Sequence, residues 1–179
     1  MTIDNFKTKI LITTSISATE ESRRFVNLLK NIIPNANSVN RGNSSLDSLK
    51  FRMVENKIEY LYIVTSKDGK IDKLKIYHLE NNELIKQGKD LKVNQFIDHK
   101  IFGFESIPEK GPISTSIDNR RAFPLLMEYF ETFWGVEIDK KNLLWLAIDG
   151  AEHRNTSYIS IIDALSQKKI CYLEIQLLS

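Results

Sequence analysis

Cysteine is nearly missing from this chain: Cys171 stands alone, so no intramolecular disulfide can form. With three histidines beside that one thiol, and neither a Cys-x-x-Cys nor a His-Glu-x-x-His pattern, a dedicated zinc site is not expected. Gly-x-x-x-x-Gly-Lys-Ser/Thr and Gly-x-Gly-x-x-Gly are absent as well, which excludes a P-loop and a dinucleotide fingerprint. No run approaches the roughly 18 consecutive apolar residues of a membrane helix. The opening Met1-Thr2-Ile3-Asp4-Asn5-Phe6-Lys7 lacks the apolar centre of a signal peptide. These absences predict a cytoplasmic protein with no cofactor, no metal and no membrane partner.

What is present is an ordinary globular composition: 179 residues, 42% hydrophobic and 27% charged. A chain of that size buries roughly 70% of the surface its unfolded form exposes, so a core needs no staples. The reading is one domain over 1–179, made of an N-terminal half of about 1–80 and a C-terminal half of about 91–179. The polar segment 80–90, with Asn81-Asn82 and Gly88, stands between them. Net charge is +2, and its positive excess lies early: residues 1–60 hold nine Lys/Arg against six Asp/Glu. A local excess of that kind attracts phosphate without marking a strongly basic domain.

Lys9-Ile10-Leu11-Ile12-Thr13-Thr14 reads as a buried strand. A helix follows, with Ser17 and Glu20 as its expected capping box. Phe25, Leu28, Leu29, Ile32 and Ile33 form one apolar stripe, with Arg23, Asn27 and Lys30 opposite, and Pro34 stops the helix. Ser44 or Ser45 caps a second helix bearing Leu46, Leu49 and Met53, its apolar face widened by Phe51 and Val54. Tyr60 to Thr65 and Leu74 to Tyr77 are strands joined at Asp68-Gly69. The second half reads as strands at 91–93 and 101–104, a helix with Phe123, Leu126, Met127, Phe130, Phe133 and Trp134, and strands at 143–148, 158–163 and 170–178. Cys171 falls on an apolar strand face and reads as a packed thiol.

Two constellations could carry chemistry. Asp149, Glu152 and His153 are the one acid/histidine cluster, able in principle to move protons or hold a metal; a solvated loop at a strand end beside Gly150 is the better reading, since nothing nearby supplies a nucleophile or further ligands. The second is basic and polar. Thr13-Thr14-Ser15 leaves a strand just before a helix N-terminus, where free N–H groups and the helix dipole favour an anion. Lys9, Arg23, Arg24, Arg41, Gly42, Ser45, Lys50 and Arg52 come from elements that a β-α-β-α unit could bring near that end, and together they offer donors, charge and close approach to a phosphate backbone. Tyr60, Tyr62 and Tyr77 could stack on bases from a sheet face, or simply pack.

These residues resemble the Brix domain, a family of ribosome-assembly proteins. Ile10-Leu11-Ile12-Thr13-Thr14-Ser15, Arg23-Arg24-Phe25, Leu28-Leu29, Ile33-Pro34-Asn35, Arg41-Gly42 and Ser45-Leu46 follow the order and spacing of that family's pattern. Pro108-Glu109-Lys110-Gly111-Pro112-Ile113, Phe123-Pro124 with Phe130, and Tyr158-Ile159-Ser160 are similar to later segments. Ile161-Ile162-Asp163 departs from the family's Phe-Arg-His, and its Gly-Pro-Arg is missing. The resemblance implies an α/β fold of two related halves, each a mixed sheet with packed helices and each similar to the anticodon-binding domain of class II aminoacyl-tRNA synthetases. It implies a non-catalytic role in ribosome biogenesis, like that of single-domain archaeal members, through binding precursor ribosomal RNA. The alternatives are a module docking on a ribosomal protein or assembly partner, and a small enzyme at Asp149, Glu152 and His153.

Overall fold

The computed structural model describes residues 9–107, 111–151 and 156–179, save the side chain of Ala151. The first strand, β1 (Ile10–Thr14), is buried throughout. Helix α1 (Glu20–Ile32) starts at Thr19, whose hydroxyl accepts from Ser22 N–H while Ser22 Oγ accepts from Thr19 N–H. The capping box is therefore Thr19/Ser22, not the expected Ser17/Glu20; Glu20 already lies inside the helix. The stripe Phe25, Leu28, Leu29 and Ile32 is buried as expected, each large side chain contributing about 1.5–3 kcal/mol.

Strand β2 (Ala36–Ser38) precedes α2 (Leu46–Glu55), which Ser45 caps by accepting from Ser48 N–H at 3.1 Å. Strands β3 (Tyr60–Lys67), β4 (Lys70–Glu80) and β5 (Glu83–Ile97) follow as a meander. Both of its turns place two residues at positive φ, Asp68-Gly69 at 52° and 77° and Asn81-Asn82 at 49° and 64°. That is the conformation two-residue hairpins demand. Segment 80–90 is thus a tight turn running straight into a long strand, and β5 belongs with the strands before it.

The later elements are β6 (Ile113–Thr115), α3 (Ile117–Ala122), α4 (Pro124–Tyr129) with a π-helical turn Phe130–Trp134, β7 (Glu137–Ile138), β8 (Leu144–Ala151), β9 (Thr156–Asp163) and β10 (Lys169–Leu177). Pro124 sits at the first position of α4, where its missing N–H costs nothing. Residues 101–104, expected as a strand, form turns closed by Phe104 N–H on His99 O. The apolar Phe102-Gly103-Phe104 pattern imitates strand alternation without a strand to pair with.

The ten strands among the described residues join in one sheet, ordered β2-β1-β3-β4-β5-β10-β9-β8-β6-β7. The order is a palindrome. In each half the first strand pairs in parallel with the second and third, and the rest pair antiparallel, the halves meeting at the antiparallel β5·β10 ladder. Short matching segments sit at matching places: Ile12-Thr13-Thr14-Ser15 and Ile113-Ser114-Thr115-Ser116. Thr13 Oγ1 donates to Val39 O at 2.8 Å, and Ser114 Oγ to Glu137 O at 3.2 Å.

Strand alternation decides which helix covers which side. Ile10, Ile12, Leu173, Ile175 and Ile159 share one core with α1 and α4. Leu11, Leu61 and Ile63 face the other way, beneath Leu49 and Met53 of α2. Phe51 and Val54, expected to widen that contact, are 65% and 55% exposed, because the helix turns them away from the sheet. Tyr62, on the α1 side, is fully buried and donates its hydroxyl to Phe133 O.

Candidate nucleic-acid interface

The basic and polar residues singled out in the sequence fall into three groups rather than one. The first surrounds the C-terminal end of β1. Thr13 and Thr14 are buried there, and the Ser15 N–H donates to Val64 O at 2.9 Å. Arg41 is only 8% exposed; its Nε donates to Ser44 O at 3.1 Å and its Nη1 to Thr14 O at 3.5 Å. Gly42, at φ 52°, closes the tight turn beside it, and Ser45 begins α2. Thr14, Ser15, Arg41, Gly42 and Ser45 are thus brought together as expected. Their polar atoms, however, largely hold the fold: the Thr13 hydroxyl, Arg41 and Ser45 are all turned to backbone groups. Arg41 forms no ion pair among the described residues.

The anion site expected at the start of α1 is not built that way. The capping box occupies N–H groups there, and Glu20 and Glu21 add two carboxylates to the first turn. Glu21 Oε2 accepts from Ile71 N–H at 3.0 Å, tying the helix start to β4. Carboxylates satisfy the dipole that a phosphate would otherwise meet.

The second group lies on the outer face of α1. Arg23, Asn27 and Lys30 recur at helical spacing and are exposed, and they face the loop of residues 98–107 across a groove of about 620 Å³. The loop contributes His99 and Lys100, so among the described residues the groove is lined by the cations Arg23, Arg24, Lys30 and Lys100 and by the carboxylates Glu20 and Glu105. Asp98 anchors it: nearly buried, its Oδ2 accepts from Arg24 Nε at 3.1 Å and its Oδ1 from Lys100 N–H at 3.0 Å. Arg24 is also paired with Glu20 at 3.3 Å, so of the cations lining this groove Arg23, Lys30 and Lys100 have no carboxylate partner among the described residues. Lys30 was visible in the helical spacing. Lys100 was missed because its loop resembled a strand.

The third group is remote from the second. Lys50 and Arg52 are on α2, across the sheet from α1, and Lys50 is paired with Asp47 at 3.1 Å. Lys9 precedes β1 at the end opposite Thr14 and donates to Asn56 O at 3.3 Å. The expectation of a single phosphate-seeking surface therefore fails on geometry: a chain order of strand, helix, strand, helix placed the two helices on opposite faces.

Of the acid/histidine cluster, Asp149 is exposed and accepts from Gly150 N–H at 2.7 Å. Glu152 and His153 lie outside the described residues, as do Pro108, Glu109 and Lys110. No group of three or more His, Cys, Asp or Glu positioned for a metal occurs among the described residues, and no helix among them is long and apolar enough to cross a membrane. Cys171 is buried against apolar neighbours, and desolvation pushes its thiol up to about 12. Such a thiol is inert.

No family model matches the chain, and no curated protein matches it. Solved structures do. A probable ribosomal biogenesis protein from Aeropyrum pernix K1 superposes with a TM-score of 0.76 at 15% identity, covering 96% of this chain and 97% of that one. Mil, an archaeal Imp4-like protein, superposes with a TM-score of 0.65 at 17% identity, covering 93% and 96%. This likeness is one of fold. It extends over nearly the whole of the chain, 96% of it in the first comparison and 93% in the second.

Proposed function

We propose that this chain is a Brix-type ribosome-assembly factor, a single domain that works in the cytoplasm by binding precursor ribosomal RNA and guiding its folding or pairing, without catalysing a reaction. The observation that carries the reading is the full-length fold likeness to a ribosomal biogenesis protein, covering 96% of this chain. The groove between α1 and residues 98–107 is the RNA contact. Arg23, Lys30 and Lys100 supply charge to phosphate oxygens, and Asn27 and Asn31 supply amide donors and acceptors. Arg41 and Ser45 shape the C-terminal end of β1.

Three to four neutralised phosphates imply a log–log salt slope of about −3. Affinity for ribosomal RNA fragments then falls about 60-fold between 50 and 200 mM salt. Combined Arg23→Ala, Lys30→Ala and Lys100→Ala substitution flattens that slope towards zero with the melting temperature unchanged. A wild-type slope near zero contradicts the reading. Phe51 and Val54, exposed on α2, favour a second contact, with a ribosomal protein or another assembly factor.

A further inference from the structure

The halves differ in one respect that their shared topology makes plain. Between β2 and β3 the chain builds α2, which covers Leu11, Leu61 and Ile63. Between β7 and β8 it has only residues 139–143, and no helix among the described residues covers the corresponding face. Thr13 is in register with Ile63, and its counterpart Ser114 with Trp145. Trp145 therefore stands where Ile63 lies beneath α2.

Register extends this uncovered face across three strands. Trp145 of β8 is opposite Ile162 of β9, Asp149 opposite Tyr158, Tyr158 opposite Glu174 of β10, and Ser160 opposite Tyr172. The alternate residues Leu144, Leu146, Ile159, Ile161, Leu173 and Ile175 point into the core on the other side. The rings of Tyr158 and Tyr172 are nearly parallel, 15° apart with centroids at 6.2 Å, and Lys169 Nζ is 5.8 Å from the Tyr172 ring. Tyr158 is 37% exposed.

We infer that this face is a stacking platform for unpaired ribonucleotides, an inference that rests on the RNA-binding reading above and adds a second site to it. The side chains at that face select the occupant. Directly beneath α2 lie Leu11, Leu61 and Ile63, with Tyr77 at the margin; at the face with no helix Trp145, Tyr158 and Tyr172 stand beside Ala147 and Ile162, flat rings with a polar edge that tolerate water and stack on planar partners. Trp145 and Tyr158 are four residues apart in cross-strand register, about 13 Å along the sheet, which accommodates two or three bases. Asp149 and Glu174 beside the rings repel phosphates and accept from base amino groups. Lys168 and Lys169, exposed at the β9–β10 turn, mark the side along which the sugar–phosphate strand runs.

The test titrates the full chain with octamers of adenosine and cytidine while following tryptophan emission. Trp134 is fully buried, so quenching reports Trp145. The expected result is saturable quenching, with Tyr158→Ala and Tyr172→Ala each weakening octamer binding roughly 5- to 100-fold. Tyr158→Phe, which keeps the ring, retains binding, and the groove triple variant still quenches. Ribosomal RNA fragments that bind without altering Trp145 emission, or folded ring variants that bind octamers like the wild type, overturn the platform and leave the groove reading intact. A photo-crosslinker at position 158 that captures only protein in cells also overturns it. Failure of the wild type to bind any RNA removes both readings.

Discussion

Replacing Arg41 with alanine separates a residue that holds the fold from one that holds RNA. Its guanidinium joins the end of β1 to the turn before α2 through Ser44 O at 3.1 Å and Thr14 O at 3.5 Å, at 8% exposure. A hydrogen bond from a charged donor contributes about 1.5–3 kcal/mol, and the longer contact less. Truncation also strands two carbonyls and leaves a void, so Arg41→Ala should cost about 2–4 kcal/mol. For a domain of this size that lowers the melting temperature by roughly 5–15 °C. Lysine keeps the charge but cannot reach both carbonyls as a planar fork does, so Arg41→Lys should recover only part of the loss. Arg23→Ala, on the exposed face of α1, should change stability by no more than about 0.5 kcal/mol. Urea unfolding of the three variants reads these differences. An Arg41→Ala midpoint equal to the wild type, together with weakened RNA binding, would refute the structural role.

Gly88 sits at φ +60° with open ring atoms of Phe133 in the way; an added Cβ would lie 2.7 Å from them. Gly88→Ala should therefore destabilise by more than the roughly 1 kcal/mol expected at Gly69, where nothing lies within 4 Å; thermal melts of the pair compare the two. Acid should weaken the fold through Asp163 and Asp72, whose carboxyls are held below the usual range by Ser166 and by Lys92. Because both pKa values are lower folded than unfolded, this stability is complete above the unfolded value near 4 and drains as pH falls through the folded ones; Asp163→Asn should shrink the acid-dependent loss in a pH series of urea melts. Cys171, with its thiol near 12, should resist alkylation at pH 8 in the native protein and react at the unfolding rate in denaturant.

Periodicity was enough to locate most elements. The stripe from Phe25 to Ile32, the Asp68-Gly69 turn and the alternation of Cys171, Leu173 and Ile175 each follow from burying one face of a local unit. What local pattern cannot say is which side of a sheet a helix crosses to. Arg23 and Lys50 are close in sequence and share a basic character, yet α1 and α2 pack against opposite faces. Nor does it separate a donor aimed at solvent from one aimed at backbone, and that is why Thr13 and Arg41 looked available. The tyrosines behave similarly. Tyr62, one of the three considered for stacking, is buried under the π-helical turn, whereas Tyr158 is exposed and Tyr172 half-buried on a face where the second half builds no counterpart of α2 among the described residues. The repeat that exposes this difference is only four residues long in the sequence, too short to stand out before the sheet order made it meaningful.

Crosslinking the protein to RNA in living cells, sequencing the attached fragments and mapping the crosslinked peptides tests the claim of precursor ribosomal RNA binding most directly. The prediction is fragments concentrated in precursor ribosomal RNA, attached through peptides that span Arg23 to Asn31 and the loop around Lys100. Fragments scattered across cellular RNA, or crosslinks confined to α2, would contradict it.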